Sequence, residues 1–164
     1  TGEKICRAMF YNCDISLLRY AFYRNKKVIL KNFGIRLRKV VSTNLIPALT
    51  IDIGITIVVT LSGISFDKNQ LIILLITILC LSVFFSVHHL FMYYIFQPFT
   101  IELNVKNPYY KVINIIIYFI SYICLQLETA SIGFSIAVLI ATLLYIGVAL
   151  LLVYTKSWKT FRVK

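Results

Sequence analysis

The chain has 164 residues, of which 60% are hydrophobic and 14% are charged, and its mean hydropathy is +0.86. Soluble domains average about 45–50% apolar residues, so this composition excludes an ordinary soluble domain and indicates an integral membrane protein. The net charge of +11 raises nucleic-acid binding as an alternative, but a basic rim on anionic lipid headgroups explains the charge, and we expect no nucleic-acid partner.

Residues 1–41 are basic and only locally apolar, which predicts cytoplasmic or interfacial amphipathic helices. Asn12 or Asp14 is a candidate cap for a first helix. The inner face of that helix would consist of Ile15, Leu18 and Phe22.

A second apolar stripe follows in residues 28–41. It consists of Ile29, Phe33, Leu37, Val40 and Val41, and the basic residues on other faces are Lys31, Arg36, Arg38 and Lys39. This pattern predicts a helix at the membrane surface, whose basic residues face lipid headgroups or a cytoplasmic ATPase. Packing on a neighbouring protein domain is the alternative.

Four membrane spans are predicted next, at about 42–62, 70–97, 110–127 and 132–154, and a basic tail occupies 156–164. The second span is the most apolar, since Leu71 to Val87 carry no charge. Pro47 should kink the first span, and Pro98 should end the second. We therefore predict an all-α, four-helix membrane bundle at 42–155, preceded by the amphipathic segment.

The distribution of basic residues predicts the orientation. Ten Lys and Arg residues lie in 1–41, two (Lys106 and Lys111) lie in the loop before span three or at the very start of that span, and four lie in the tail, whereas Lys68 alone lies in the opposite loops. Cytoplasmic segments carry such an excess, so we expect both termini in the cytoplasm and the protein in the plasma membrane.

The predicted spans contain several polar side chains that could form one layer. Asp52 lies about 15 Å from the cytoplasmic end of span one, and His88 and His89 lie about 13 Å from the same face. A carboxylate at this depth should face protein or water, so we expect it to contact one of the two histidines. Tyr118 and Tyr145 are further candidate members. The layer is either a proton- or substrate-sensitive site or a structural contact between helices.

Nothing in the sequence indicates catalysis. It contains no HExxH, GxSxG, GxGxxG or GxxxxGK[ST] pattern, so we expect no catalytic residues and no bound cofactor. Adjacent histidines diverge on a helix and make a poor metal site. The four cysteines have no CxxC spacing, and we expect reduced, packed thiols.

Three segments carry a resemblance to a known family: MFYNCDISLLRYAFYR (9–24), YYIFQPFTIELNVKNPYYK (93–111) and VYTKSWKTFRVK (153–164). Together they resemble the C-terminal portion of a family of bacterial multi-span proteins described as ATP-binding-cassette exporter permeases. The resemblance implies export of an unidentified substrate, ATP hydrolysis by a separate nucleotide-binding subunit, and further N-terminal spans or a second membrane subunit. Because the chain opens on Thr1, we expect it to be part of a longer protein. A non-transporting membrane subunit or regulator is the alternative.

Overall fold

The computed structural model describes residues 2–17, 25–63, 67–99, 108–124 and 132–161. These ranges are almost entirely helical and contain no strand. The elements are α1 (Gly2–Met9), a π-helical stretch (Phe10–Asp14), α2 (Ile15–Leu17), α3 (Lys26–Leu61), α4 (Lys68–Phe96), α5 (Pro108–Cys124) and α6 (Ile132–Thr160). Helices α3, α4 and α6 are long and apolar enough to cross a membrane. The predicted class, an all-helical membrane protein, is confirmed at this level.

Helix α3 joins two segments that the sequence predicts as separate. It runs for 36 residues without interruption, and it begins at the Asn25 side chain, which accepts a hydrogen bond from Lys27 N at 3.1 Å. Ser42 and Thr43 stand where a second helix was expected to start. Their hydroxyls instead donate to the carbonyls of Arg38 and Lys39, both at 2.9 Å, which is the geometry of a helix interior. Residues 28–41 are thus a rigid extension of the first span.

The ends of the other helices also differ from the predicted spans. Helix α4 ends at Phe96, where Gln97 adopts a left-handed conformation (φ 40°) immediately before Pro98. Helix α6 continues to Thr160, so the first part of the predicted basic tail is helical. Helix α5 has 17 described residues, and the rest of the predicted third span lies outside the described ranges.

Side-chain contacts fix the relative directions of the helices. Arg36 and Asn44 of α3 contact Tyr94 and Ser86 of α4, so these two helices are antiparallel. Helices α4 and α6 are parallel, because residues later in α4 contact residues later in α6. These contacts pair Thr77 with Ser135, His88 with Tyr145, and Tyr94 with Phe161.

The hydrophobic core lies at one end of the bundle, where α1, the start of α3 and the ends of α4 and α6 meet. Phe161 stacks on Tyr94 with ring centroids 4.5 Å apart, and the Lys26 ammonium lies 5.3 Å from the Trp158 ring centroid. This packing explains why α6 extends beyond the predicted span. Ile29 and Phe33 belong to the same core, so the apolar stripe of residues 28–41 packs on the chain's own helices.

Candidate functional site

The basic segment of α3 has two kinds of side chain. Lys31, Arg38 and Lys39 are exposed, which suits contact with lipid headgroups or a partner. Arg36, which was predicted to share that role, is instead only 15% exposed and pairs with Asp14. The prediction for Arg36 is wrong because a carboxylate of the N-terminal segment reaches it inside the protein.

Asp14, Arg36, Tyr93 and Tyr94 form a buried polar group that we call the Arg36 cluster. Arg36 Nη1 donates to Asp14 Oδ2 at 2.8 Å, and Nη2 donates to Asp14 Oδ1, so the guanidinium binds the carboxylate with two parallel bonds. The Tyr93 hydroxyl also donates to Asp14. Arg36 Nη1 lies 3.2 Å from the Tyr94 hydroxyl oxygen, which accepts from it. The cluster therefore fastens the N-terminal segment to both α3 and α4.

Asp14 was predicted as a possible helix cap, and that prediction is wrong. It lies in the π-helical stretch, with helical residues on both sides, and its side chain is 1% exposed. An ionised carboxylate this deeply buried requires a charged partner, which Arg36 supplies. The rest of the face predicted for the first helix, Leu18 and Phe22, lies outside the described residues.

Only one pair forms among the five residues predicted for the polar layer. His88 Nδ1 lies 2.8 Å from the Tyr145 hydroxyl, which links α4 to α6. His89 and Tyr118 line a common cavity without a hydrogen bond between them. Tyr118 is 64% exposed on α5.

The predicted contact between Asp52 and a histidine does not form. Asp52 is 7% exposed, and its Oδ1 is buried without a hydrogen-bond partner. Asn44 contacts Ser82 and Ser86, so Asp52, eight residues further along antiparallel α3, lies opposite about residue 76 of α4. His88 is therefore about 12 residues, or about 18 Å, away along α4. The depth estimate failed because it placed the start of the helix at residue 42 instead of residue 26.

The sequence analysis missed a polar group formed by Asn44, Ser82 and Ser86. Ser82 Oγ donates to the Asn44 carbonyl at 3.1 Å, and Ser86 Oγ donates to the Ser82 carbonyl at 2.7 Å. Asn44 Nδ2 in turn donates to Ser86 Oγ at 2.9 Å, so Ser86 Oγ is both a donor and an acceptor in this group. Asn44 Oδ1 is left as a buried acceptor with no donor.

A cavity of about 350 Å³ adjoins this group, between α1, α3, α4 and α5. Its polar wall includes Asn44, Ser82 and His89. Besides Asn44 Oδ1, His89 Nδ1 is buried without a partner. Polar atoms left unpaired at membrane depth cost free energy, which makes this cavity the best candidate functional site in the part of the chain that the structure describes.

A second cavity of about 520 Å³ lies next to the first, and Ile78 and Phe85 line both. Its other walls come from α4, α5 and α6 and are almost entirely apolar, with Leu74, Leu81 and Val138 among them. The bundle thus contains a polar cavity and an apolar cavity side by side.

No family model, curated protein or solved structure matches this chain. Its function must therefore be argued from the bundle, the Arg36 cluster and the two cavities. The charge pattern could have suggested that Arg36 has an internal partner, since Asp14 is the only acidic residue between Lys4 and Lys39. Nothing in the sequence indicates which of the many polar residues in the spans is left unpaired.

Proposed function

We propose that this chain is a membrane-spanning permease domain of an ATP-driven exporter in the bacterial plasma membrane, with ATP hydrolysed by a separate cytoplasmic subunit. The observation that carries the proposal is the polar cavity, which is lined by Asn44 and His89, two residues that each have a buried polar atom without a partner in the protein. Intramembrane polar groups without protein partners are typical of substrate pathways.

The helix directions support four crossings of the membrane. Because α4 and α6 are parallel, the chain must return from the end of α4 to the start of α6, and α5 lies on that path. The core end of the bundle carries the excess of basic residues, so it would lie in the cytoplasm. Both ends of the chain would then be cytoplasmic.

The ATPase subunit would contact the exposed basic face of α3. Lys31, Arg38 and Lys39 lie on the rigid extension of a span, so movement of this face would be transmitted directly to the helix that carries Asn44. A second membrane subunit or further spans would complete the permease, as the family resemblance implies.

A non-transporting membrane subunit or regulator is the second candidate. It is favoured by the contact between His88 and Tyr145, which joins two helices in the way a structural polar pair would. This pair is also absent from the walls of both cavities.

Reconstitution with a candidate nucleotide-binding ATPase subunit from the same organism tests the proposal. The two proteins should co-purify, and ATP hydrolysis by the complex in liposomes should fall when Ala48→Phe fills the polar cavity. Ala137→Phe, at an exposed position of α6 that lines neither cavity, is the control and should leave hydrolysis unchanged. Failure to co-purify, or an equal effect of the two variants, would favour the regulator.

A further inference from the structure

The larger, apolar cavity lies at the depth of the lipid chains. On α4 its wall runs from Leu74 to Phe85, inside the uncharged run 71–87. This wall begins about 9 Å from Lys68, the first residue of α4, and ends about 16 Å before Phe96, the last residue. Both ends of the cavity are therefore away from the headgroup regions, and the surroundings of the bundle at this level are hydrocarbon.

The polar groups in the wall of this cavity are satisfied within the protein. Nine of the twelve described residues that line it are apolar, and the other three carry hydroxyls. Thr77, Ser121 and Thr142 each donate to the carbonyl four residues earlier, at 2.8, 2.8 and 2.7 Å. A buried water molecule needs about two to four polar partners, so water is a poor occupant of this cavity. The wall chemistry instead suits a ligand without polar groups.

The size of the cavity fits one hydrocarbon chain. Its volume is about 520 Å³, whereas an apolar cavity of about 150 Å³ in another protein holds one benzene molecule. By that proportion the cavity holds a chain of roughly 15–20 carbons. A transmembrane helix has a diameter of about 10–12 Å and would need roughly 1,300 Å³ over the length of the α4 wall, so a helix of a partner subunit does not fit.

We propose that this cavity binds one acyl chain of a membrane phospholipid, inserted between α5 and the pair formed by α4 and α6. The headgroup of that lipid stays at the membrane surface. An unfilled cavity destabilises a protein in proportion to its volume, so the bound chain helps to hold α5 against the other two helices. A bound acyl chain suits an exporter and a non-transporting subunit alike, so this inference does not rest on the proposed function.

Photolabelling of the full chain in liposomes tests the proposal on the unaltered protein. The probe is a phosphatidylcholine with a diazirine in the middle of one acyl chain, present at a small fraction of the total lipid. Leu74, Leu81 and Val138 are partly buried residues of the cavity wall. We expect their labelling to be at least equal to that of Leu151, which is 67% exposed. Labelling several-fold weaker than at Leu151 would show that the chain does not enter the cavity and would overturn the proposal.

A variant that fills the cavity supplies a second test. Ala141→Phe adds a ring to the α6 wall, and it should lower the ratio of wall labelling to Leu151 labelling at least fivefold. Ala137→Phe, at an exposed position of α6 that lines neither cavity, is the control and should leave the ratio unchanged. An unchanged ratio in Ala141→Phe, or an equal fall in both variants, would count against a bound chain.

A free fatty acid is the other source of the same chemistry. A fatty acid that carries the diazirine at the same chain position therefore forms the comparison arm. We expect the phospholipid to label the cavity wall at least as strongly, relative to Leu151, as the fatty acid does. Labelling of the wall by the fatty acid alone would show that the site takes a free single chain, and the phospholipid assignment would be wrong.

Discussion

The ion pair between Asp14 and Arg36 is the residue-level feature with the largest expected effect on stability. Arg36→Met leaves the Asp14 carboxylate buried with only the Tyr93 hydroxyl as a partner. Removing one member of a buried pair costs about 3–5 kcal/mol, so we expect a lowered thermal unfolding midpoint in detergent. Arg38→Met removes the same charge from an exposed position and should change the midpoint little.

The double variant Asp14→Leu with Arg36→Met measures the interaction free energy between these two side chains separately from the cost of losing either one. Because it removes both charges together, it should be less destabilised than the sum of the two single variants, by about 0.5–3 kcal/mol. Strict additivity would contradict the pairing.

Gly2 is a second residue whose identity is fixed by packing. A Cβ atom at this position would overlap the His89 ring and lie 2.7 Å from its Cγ. Gly2→Ala should therefore destabilise the protein by about 1–3 kcal/mol, the usual cost of overpacking. Gly34→Ala, in α3, has no atom within 4 Å of the new Cβ and should be neutral or slightly stabilising. Equal unfolding midpoints for the two variants would show that α1 does not dock on His89.

At the scale of elements, the docking of α1 on α3 and α4 can be followed through Cys6. Its thiol is 1% exposed and donates to the His89 carbonyl at 3.7 Å, whereas Cys13 is exposed. At pH 8 a maleimide should label Cys13 rapidly and Cys6 slowly. Arg36→Met should accelerate labelling of Cys6 by loosening the Arg36 cluster. Equal rates for Cys6 and Cys13 in the unaltered protein would contradict docking.

Docking should also weaken at high pH. Burial raises the pKa of the Cys6 thiol from its ordinary value of 9.0 to about 12. A raised pKa means that the folded state holds the proton more tightly, so the contribution to stability is complete below pH 9 and is lost as the pH rises toward 12. The fraction of α1 undocked, measured by hydrogen exchange of its backbone amides, should therefore increase over this range. No change in exchange beyond the intrinsic pH dependence would contradict this expectation.

The sequence predicts the helices better than their junctions. The uncharged run of Leu71 to Val87 can only be a buried or membrane-crossing helix, and α4 contains it. The predicted junction between residues 41 and 42 is not a helix boundary, because α3 is continuous there and the hydroxyls of Ser42 and Thr43 bond to the preceding turn. Whether a hydroxyl caps a helix or bonds within it depends on the backbone conformation, which residue identity alone does not determine.

The candidate site was predicted only in part, because the position of α3 along α4 was misjudged. The pairing of His88 with Tyr145 was within reach of a depth argument, whereas the expected Asp52 contact was misplaced by about 18 Å. An error in the starting residue of one helix displaces every predicted partner on the next. The unpaired state of Asn44 Oδ1 depends on how α3 and α4 place Asn44 against Ser82 and Ser86, which no sequence pattern records.

At the scale of the whole molecule, the two ends of the bundle differ. The core end is held by aromatic packing and the Arg36 cluster. The helix surfaces elsewhere are strongly apolar, with Leu61, Ile115 and Leu151 each more than 60% exposed, as lipid-facing residues would be. This asymmetry fits a bundle whose basic end projects from the membrane and whose remainder is in lipid.

Cysteine accessibility at two positions tests this arrangement most directly. In a background without native cysteines, Asp67→Cys marks the start of α4, and Asn104→Cys marks the loop that the sequence places after it. With four crossings and a cytoplasmic core end, a membrane-impermeant maleimide added to intact cells should label position 67. It should label position 104 only after the membrane is permeabilised. Labelling of both positions from outside, or of position 104 alone, would contradict the account.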